Sequence, residues 1–337
     1  MKTGIIINNI GTPQDYSPDA VGVYLNEFLM DKNIISIPFL IRYILVHWII
    51  VPRRKFQSSL KYKKIWGKEK SPLLELTEKF SHELQNNLGP DYKVEIGMRY
   101  GEPNVSTALQ KLLSAGVSNV IYLPMYPQYS RATVGSAIDQ FRDVMKKHPE
   151  LSYKILPPFY REICYLSHQS RLLKNEIEKG RFEHIVFSFH GLPESQILKN
   201  KGCRLCDQCC ADESQINSGC YRAQCFDTAK KIAQLAGLPV QHYSVSFQSR
   251  LGPTNWIKPY TSDTIEQLRQ SGVEKVLVQT PSFVVDCLET LEEIGIELKN
   301  EFIMSGGSDL KLVPCLNEDK QWINDFSNWI LKHSKLS

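Results

Sequence analysis

HIVFSFHGLP, residues 184–193, decides the fold of this chain. Ile185, Val186, Phe187 and Phe189 crowd β-branched and aromatic side chains into a run too short for a helix. Gly191 and Pro193 then break it, so the run reads as a buried strand ending on His190. Similar runs recur on both sides. GIIINN (4–9), YKVEIGMRY (92–100), NVIYLPM (119–125) and YKILP (153–157) precede it; VQHYSVSF (240–247) and KVLVQTP (275–281) follow. Between them lie amphipathic stretches such as PLLELTEKFSHELQNNL (72–88) and TALQKLLSAG (107–116). Strand and helix in repeated alternation predict an α/β fold with parallel sheets and helices on both faces. Two sets of about four strands predict two doubly wound domains, 1–157 and 158–318, joined near LPPFYRE (156–162). A ligand then belongs where loops leave the carboxyl ends of the strands.

Composition narrows the function. Hydrophobic residues are 42% and charged residues 23% of 337, an ordinary globular balance. The net charge of +4, from 40 basic and 36 acidic residues, argues against nucleic acid as a partner. MKTGIIINNIGTP shows no charged leader followed by a long apolar core and cleavage site, so the expected compartment is a reducing cytoplasm. One segment departs from the pattern. NIISIPFLIRYILVHWIIV (33–51) is nearly all apolar and is followed by PRRK. Pro38, Arg42 and His47 interrupt it, against a membrane span. A buried helix pair is one alternative. The favoured reading is an exposed apolar flap, with Trp48, Arg53, Arg54 and Lys55 placed to meet a membrane surface.

Three constellations carry chemistry. His190, at a strand's end, faces the sheet's crevice and titrates near neutrality, although a core histidine is the plainer alternative. In VVDCLETLEEIGIE (284–297), Asp286, Glu289 and Glu293 are spaced i, i+3, i+7 and are expected along one helix face. Glu292 is expected on another face, where Gln would be tolerated. A solvated acidic face is the bland reading; carboxylates starting at the same sheet edge as a histidine suit proton removal or cation delivery. FQSRLGPTNWIKPY (247–260) supplies Trp256 in a loop, and MYPQYSRATVGSAID (125–139) supplies Tyr126, Tyr129, Ser130 and Thr133. Aromatic walls, a histidine and carboxylates together imply a large planar substrate.

The blocks NNIGTP, YPQYSRATVGS, SFHGLP, QSRLGPTNWIKP and DCLETLEE, in this order, resemble the signatures of the ferrochelatases over nearly the whole chain. That resemblance implies two Rossmann-like, chelatase-type domains, each with a parallel four-stranded sheet, and a last helix (about 319–333) packing back on the first. It implies insertion of ferrous iron into a porphyrin in haem biosynthesis, with His190 and Glu289 at the metal-insertion site. Asp286 and Glu293 match an acidic path. Ile10, Arg99, Tyr126 and Trp256 match pocket positions, and Lys63 and Lys64 match cations near the propionates. Residues 34–51 match a lip facing the membrane that holds the porphyrin, which implies peripheral attachment to the inner membrane. Protoporphyrin IX suits that lip; coproporphyrin stays open. Two N–H protons must leave the ring: His190 is the expected first acceptor, and Glu289 a ligand or relay. Cys287 departs from the pattern, since many relatives carry histidine there, which puts a relay through that position in doubt. The rival readings are a cobalt or nickel chelatase for a more polar ring, and a non-enzymatic haem or iron–sulphur sensor.

Six of nine cysteines lie in CRLCDQCCADESQINSGCYRAQC (203–225). The pairs Cys203/Cys206 and Cys220/Cys225 approach zinc spacing, and four thiolates also suit a 2Fe–2S cluster. The resemblance to bacterial ferrochelatases with an internal cysteine cluster favours 2Fe–2S. The expected ligands are Cys203, Cys210, Cys220 and Cys225, with Cys206 or Cys209 as substitutes.

Overall fold

The computed structural model describes residues 2–199, 203–211, 219–250, 252 and 254–334. The chain divides into two units, Met1–Tyr126 with Arg131–Pro158 and Glu318–Ser337, and Pro127–Ser130 with Phe159–Asn317.

In the first unit β1 (Lys2–Asn8), β2 (Tyr92–Ile96), β3 (Val117–Pro124) and β4 (Ser152–Ile155) form a parallel sheet in the order β2-β1-β3-β4. Ile5, Ile6 and Ile7 are fully buried, as both faces of a central parallel strand require. The chain steps from β1 to one side and then to the other, so the crevice opens beyond the ends of β1 and β3. The helix Pro72–Leu88 starts on the Ser71 hydroxyl, which accepts from Leu74 N–H at 3.3 Å. It buries Leu73, Phe80 and Leu84, and Trp322 and Phe326 of the helix Lys320–His333 pack on Phe80 with ring centroids 6.4 Å away.

The helix Phe39–Ile44 continues through a π-helical stretch, Leu45–Ile50, into the helix Val51–Ile65. Phe39, Leu40, Ile41, Ile44 and Trp48 are exposed, Leu40 and Trp48 at 72% each, which excludes a buried helix pair. Arg42 turns inward and donates to the Ile35 and Ile37 carbonyls at 3.0 Å. No helix among the described residues is long and apolar enough to cross a membrane.

The second unit repeats the topology. Here β5 (His184–His190), β6 (Tyr243–Gln248), β7 (Lys275–Gln279) and β8 (Asp309–Leu312) are parallel in the order β6-β5-β7-β8. Sequence reading named no strand at β8. DLKL is a short edge strand that buries only Leu310 fully, against Val276, Val278 and Phe302, so neither length nor a long apolar run marks it. The order reverses between β5 and β7, which puts this crevice beyond His190 and Gln279.

Candidate functional site

His190 is the last residue of β5 and pairs with Gln248 of β6. Its Nδ1 lies 2.6 Å from the Gly191 carbonyl. A carbonyl only accepts, so Nδ1 carries a proton, and whenever the ring is neutral its lone pair is on Nε2. The half-buried imidazole stands between Trp256 and Phe283, with centroids 6.5 and 6.3 Å away. Trp256 is brought there by backbone: Pro193 bridges it in antiparallel fashion, and Ile257 N–H donates to Leu192 O at 3.0 Å. A Cβ on Gly191 would lie 2.8 Å from Gln248 O and 3.2 Å from the Trp256 ring, so only glycine permits this approach.

The acidic segment departs from its expected form. Its helical turns begin at Leu288, and Glu289–Leu298 is π-helical. Residues four apart stay on one side of a helix whether its turns close by i→i+4 or by i→i+5 bonds. Glu289 and Glu293 are such a pair. Ser249, just past β6, grips Glu293: its N–H donates to Oε1 at 2.8 Å and its hydroxyl to Oε2 at 2.5 Å. Ser249 takes φ +65°, a left-handed conformation unusual for a residue with a side chain. Gln248, oriented by the Ser188 hydroxyl at 2.6 Å, donates to the Glu289 carbonyl at 2.8 Å. Burial, reinforced by Glu289, pushes the Glu293 carboxyl up, against the Ser249 bonds and His190, which draw it down. Acid, acid and histidine therefore share one electrostatic environment.

Asp286 does not lie on that helix face. It precedes the helix, is buried, and accepts from Asn317 Nδ2 at 2.7 Å, Thr290 Oγ1 at 2.8 Å and Cys315 N–H at 3.2 Å. Three donors from two segments make it a structural knot. Glu292, expected on another helix face and tolerant of Gln, is 1% exposed. Cys287 is buried, and burial, followed by the Glu289 charge, pushes its thiol well up, so it remains a neutral thiol.

In the first unit the corresponding crevice carries Ile10 beyond β1 and Tyr126 beyond β3. The Tyr126 hydroxyl is buried and has no hydrogen-bond partner among the described residues. Arg99 is engaged inside the protein. Its Nε donates to Ser136 Oγ at 2.7 Å, its Nη2 to Asp31 at 2.5 Å, and its guanidinium covers the Tyr100 ring at 4.3 Å. Tyr100 and Ser136 also donate to Asp31. Burial raises the Asp31 carboxyl, but these donors and Asn33 N–H outweigh it and hold it low. Lys63 and Lys64 are exposed in the last turn of Val51–Ile65. Sequence reasoning missed Asp31, Gln248 and Ser249; only Gln248 and Ser249 carried a signal, lying where a predicted strand ends.

Residues 212–218 of the cysteine segment, and Leu251 and Pro253 of the Trp256 loop, lie outside the described residues. Cys210, Cys220 and Cys225 are buried, and Cys203, Cys206 and Cys209 half-buried. Burial pushes the Cys203 thiol up, the Cys210 thiol up to about 11, and the Cys225 thiol well up. Arg222 Nη1 donates to Cys210 Sγ at 2.9 Å, and Cys209 N–H to Cys206 Sγ at 3.4 Å. Among the described residues no group of three or more Cys, His, Asp or Glu is set to hold a metal ion.

A family model described as Ferrochelatase matches residues 2–334. The ferrochelatase of Bdellovibrio bacteriovorus is 41% identical over 330 residues, 98% of this chain and 98% of that protein. That of Legionella pneumophila (strain Paris) is 41% identical over 324 residues, 96% of this chain and 97% of its own. Among solved structures, SirB from Bacillus subtilis with Fe3+ matches with a TM-score of 0.55 over 99% of this chain and 96% of that one; at 11% identity this is a likeness of fold. With a histidine and two carboxylates at a sheet crevice, and a full-length match to one family, the chain belongs to the ferrochelatases.

Proposed function

We propose that this chain inserts ferrous iron into protoporphyrin IX, releasing two protons, with the proton chemistry on His190, Glu289 and Glu293. One observation carries the reading: His190 Nδ1 donates to Gly191 O, which puts the lone pair of the neutral imidazole on Nε2, in one electrostatic environment with Glu293 and Glu289. Nε2 accepts the first pyrrole proton. Glu289 faces the incoming cation or takes the second proton, and Glu293, drawn toward its protonated form, passes charge outward. Asp286 serves this path by anchoring the start of the π-helix rather than by carrying protons. Ile10 and Tyr126 offer the macrocycle an apolar wall in the first unit, stiffened by Arg99 through Asp31, and Trp256 offers one in the second, while Lys63 and Lys64 meet the propionates. The exposed apolar side chains from Phe39 to Trp48 attach the protein peripherally to the inner membrane, from which an apolar porphyrin is taken. That surface favours protoporphyrin over coproporphyrin.

Cys203, Cys210, Cys220 and Cys225 would hold a 2Fe–2S cluster. Four sulphur donors are the right kind of ligand, and those of Cys203, Cys210 and Cys225 feel neighbouring cysteines electrostatically, but among the described residues no three of them are set together as a metal site. Bound there, the cluster supplies a one-electron redox centre. Anaerobic protein should be red-brown and bleach with dithionite, and Cys220→Ser should lose the colour; a colourless protein with stoichiometric zinc overturns the cluster but not the chelatase. The main test is haem formation from ferrous iron and porphyrin. His190→Ala should lower turnover by about 10²–10⁴-fold with porphyrin affinity kept, and Glu289→Gln should also be severely impaired. Near wild-type turnover in His190→Ala removes the assignment.

A further inference from the structure

We infer that Tyr221 is a positioning residue for His190: it pins the His190–Gly191 peptide and thereby sets which imidazole nitrogen carries the proton. Only its consequence for turnover rests on reading His190 as the base. Tyr221 opens the helix Tyr221–Ala236, directly after the N-cap residue Cys220, and is buried. Its hydroxyl donates to the His190 carbonyl at 2.7 Å and lies 3.2 Å from Ser282 Oγ. Ser282 Oγ in turn accepts from His190 N–H at 3.3 Å. The directions follow from counting hydrogens. Tyr221 has one, given to His190 O, so Ser282 must donate to Tyr221 and use a lone pair for His190 N–H.

The peptide after His190 is thus held at both ends: its C=O by Tyr221, and its N–H by the Gln248 carbonyl at 2.8 Å. Held so, Gly191 presents its own carbonyl to His190 Nδ1 at 2.6 Å. Without the phenol one end is free, the Gly191 carbonyl can swing away, and nothing enforces the Nδ1–H form. The cysteine-bearing segment is therefore tied to the histidine strand by the Tyr221 hydroxyl.

The test uses full-length protein with ¹⁵N-labelled histidine, free of iron and porphyrin, with His190 resonances assigned by their loss in His190→Gln. Long-range ¹H–¹⁵N correlation should show Nδ1 protonated in wild type and a tautomer mixture in Tyr221→Phe. Ser282→Ala should shift the spectrum in the same direction, and the double variant should be no worse than the worse single one. Tyr122→Phe removes a similar buried phenol–carbonyl bond, to Ala137 O at 3.2 Å, and should leave His190 unchanged. In turnover, Tyr221→Phe should lower kcat by about 10–100-fold with KM for porphyrin unchanged. A wild-type ¹⁵N pattern in Tyr221→Phe overturns the inference; should that variant not fold, the same pattern in Ser282→Ala does so. A changed tautomer with unchanged kcat supports the positioning and overturns His190 as the base.

Discussion

Ser249 separates two effects that usually travel together. It sits at φ +65°, and it makes two bonds to Glu293, one from its backbone and one from its hydroxyl. Ser249→Ala keeps the backbone conformation and its N–H bond but loses the hydroxyl bond, which for a charged acceptor costs about 1.5–3 kcal/mol. Ser249→Gly loses the same bond but relieves the left-handed conformation. Against the greater freedom of glycine when unfolded, the net return is about 1 kcal/mol. In urea unfolding at pH 8 both variants should therefore fall below wild type, with glycine above alanine by about 1 kcal/mol, a factor of about five in the folding equilibrium. Chelation should not follow that order. Both variants remove the same downward pull on Glu293, so its carboxyl rises further and turnover should fall equally in the two. Equal stabilities for Gly and Ala would refute the strain argument. Wild-type turnover in both would show that the grip on Glu293 has no part in the reaction.

Three other outcomes follow from the same geometry. Asp31→Asn leaves Arg99 without its buried partner and should cost about 3–5 kcal/mol. Because the Asp31 carboxyl is held below 3.8, this stabilisation is present above that value and lost as pH falls through the lowered one, so the wild-type and variant melting curves should converge in acid. Glu292→Gln should cost about 1–3 kcal/mol in a thermal melt, since the side chain is 1% exposed. Leu40→Ser with Trp48→Ser should lower binding to anionic vesicles at least about tenfold, as each side chain buries about 1.5–3 kcal/mol of apolar surface, while haem formation in detergent is kept; unchanged sedimentation with vesicles would remove the lip as the membrane contact.

What the sequence made legible was local. His190 ends a run of apolar residues cut off by Gly191 and Pro193, and both signals lie within ten residues. Glu289 and Glu293 were found because any helix brings residues four apart together. The π-helix itself was not legible, because a 3.6-residue period is the only template that apolar spacing offers, and Asp286 was placed on it for that reason. Its partners, Cys315 and Asn317, lie 29 and 31 residues away and have no bearing on local pattern. Asp31 and Arg99 are separated by 68 residues, and nothing near either one marks the pair. Ser249 could be located at a strand end, but its backbone conformation and its two bonds to Glu293 arise only once β6 lies beside β5.

Both units use the same strand order, yet their crevices differ in chemistry. Beyond β1 and β3 stand Ile10 and Tyr126, with the charges of Asp31 and Arg99 neutralised against each other. Beyond β5 and β7 stand a histidine and two carboxylates. A flat apolar ring is best met by uncharged walls, whereas proton traffic needs groups that titrate, and the two crevices differ in that sense. Within the second unit Gln248 touches all three groups, through the Gly191 N–H, the Glu289 carbonyl and the Glu293 carboxyl, but the hydroxyls that hold His190 and Glu293 are different ones. His190 is set by the peptide after β5, the start of the π-helix by Gln248 of β6, and Glu293 by Ser249 just beyond it. Those two hydroxyls can be removed one at a time. Loss of the Ser249 hydroxyl should disturb Glu293 without changing the tautomer of His190, and loss of the Tyr221 hydroxyl should do the reverse. If instead either change disturbed both groups, the site would behave as one cooperative network, and no single bond could be assigned to a single acid.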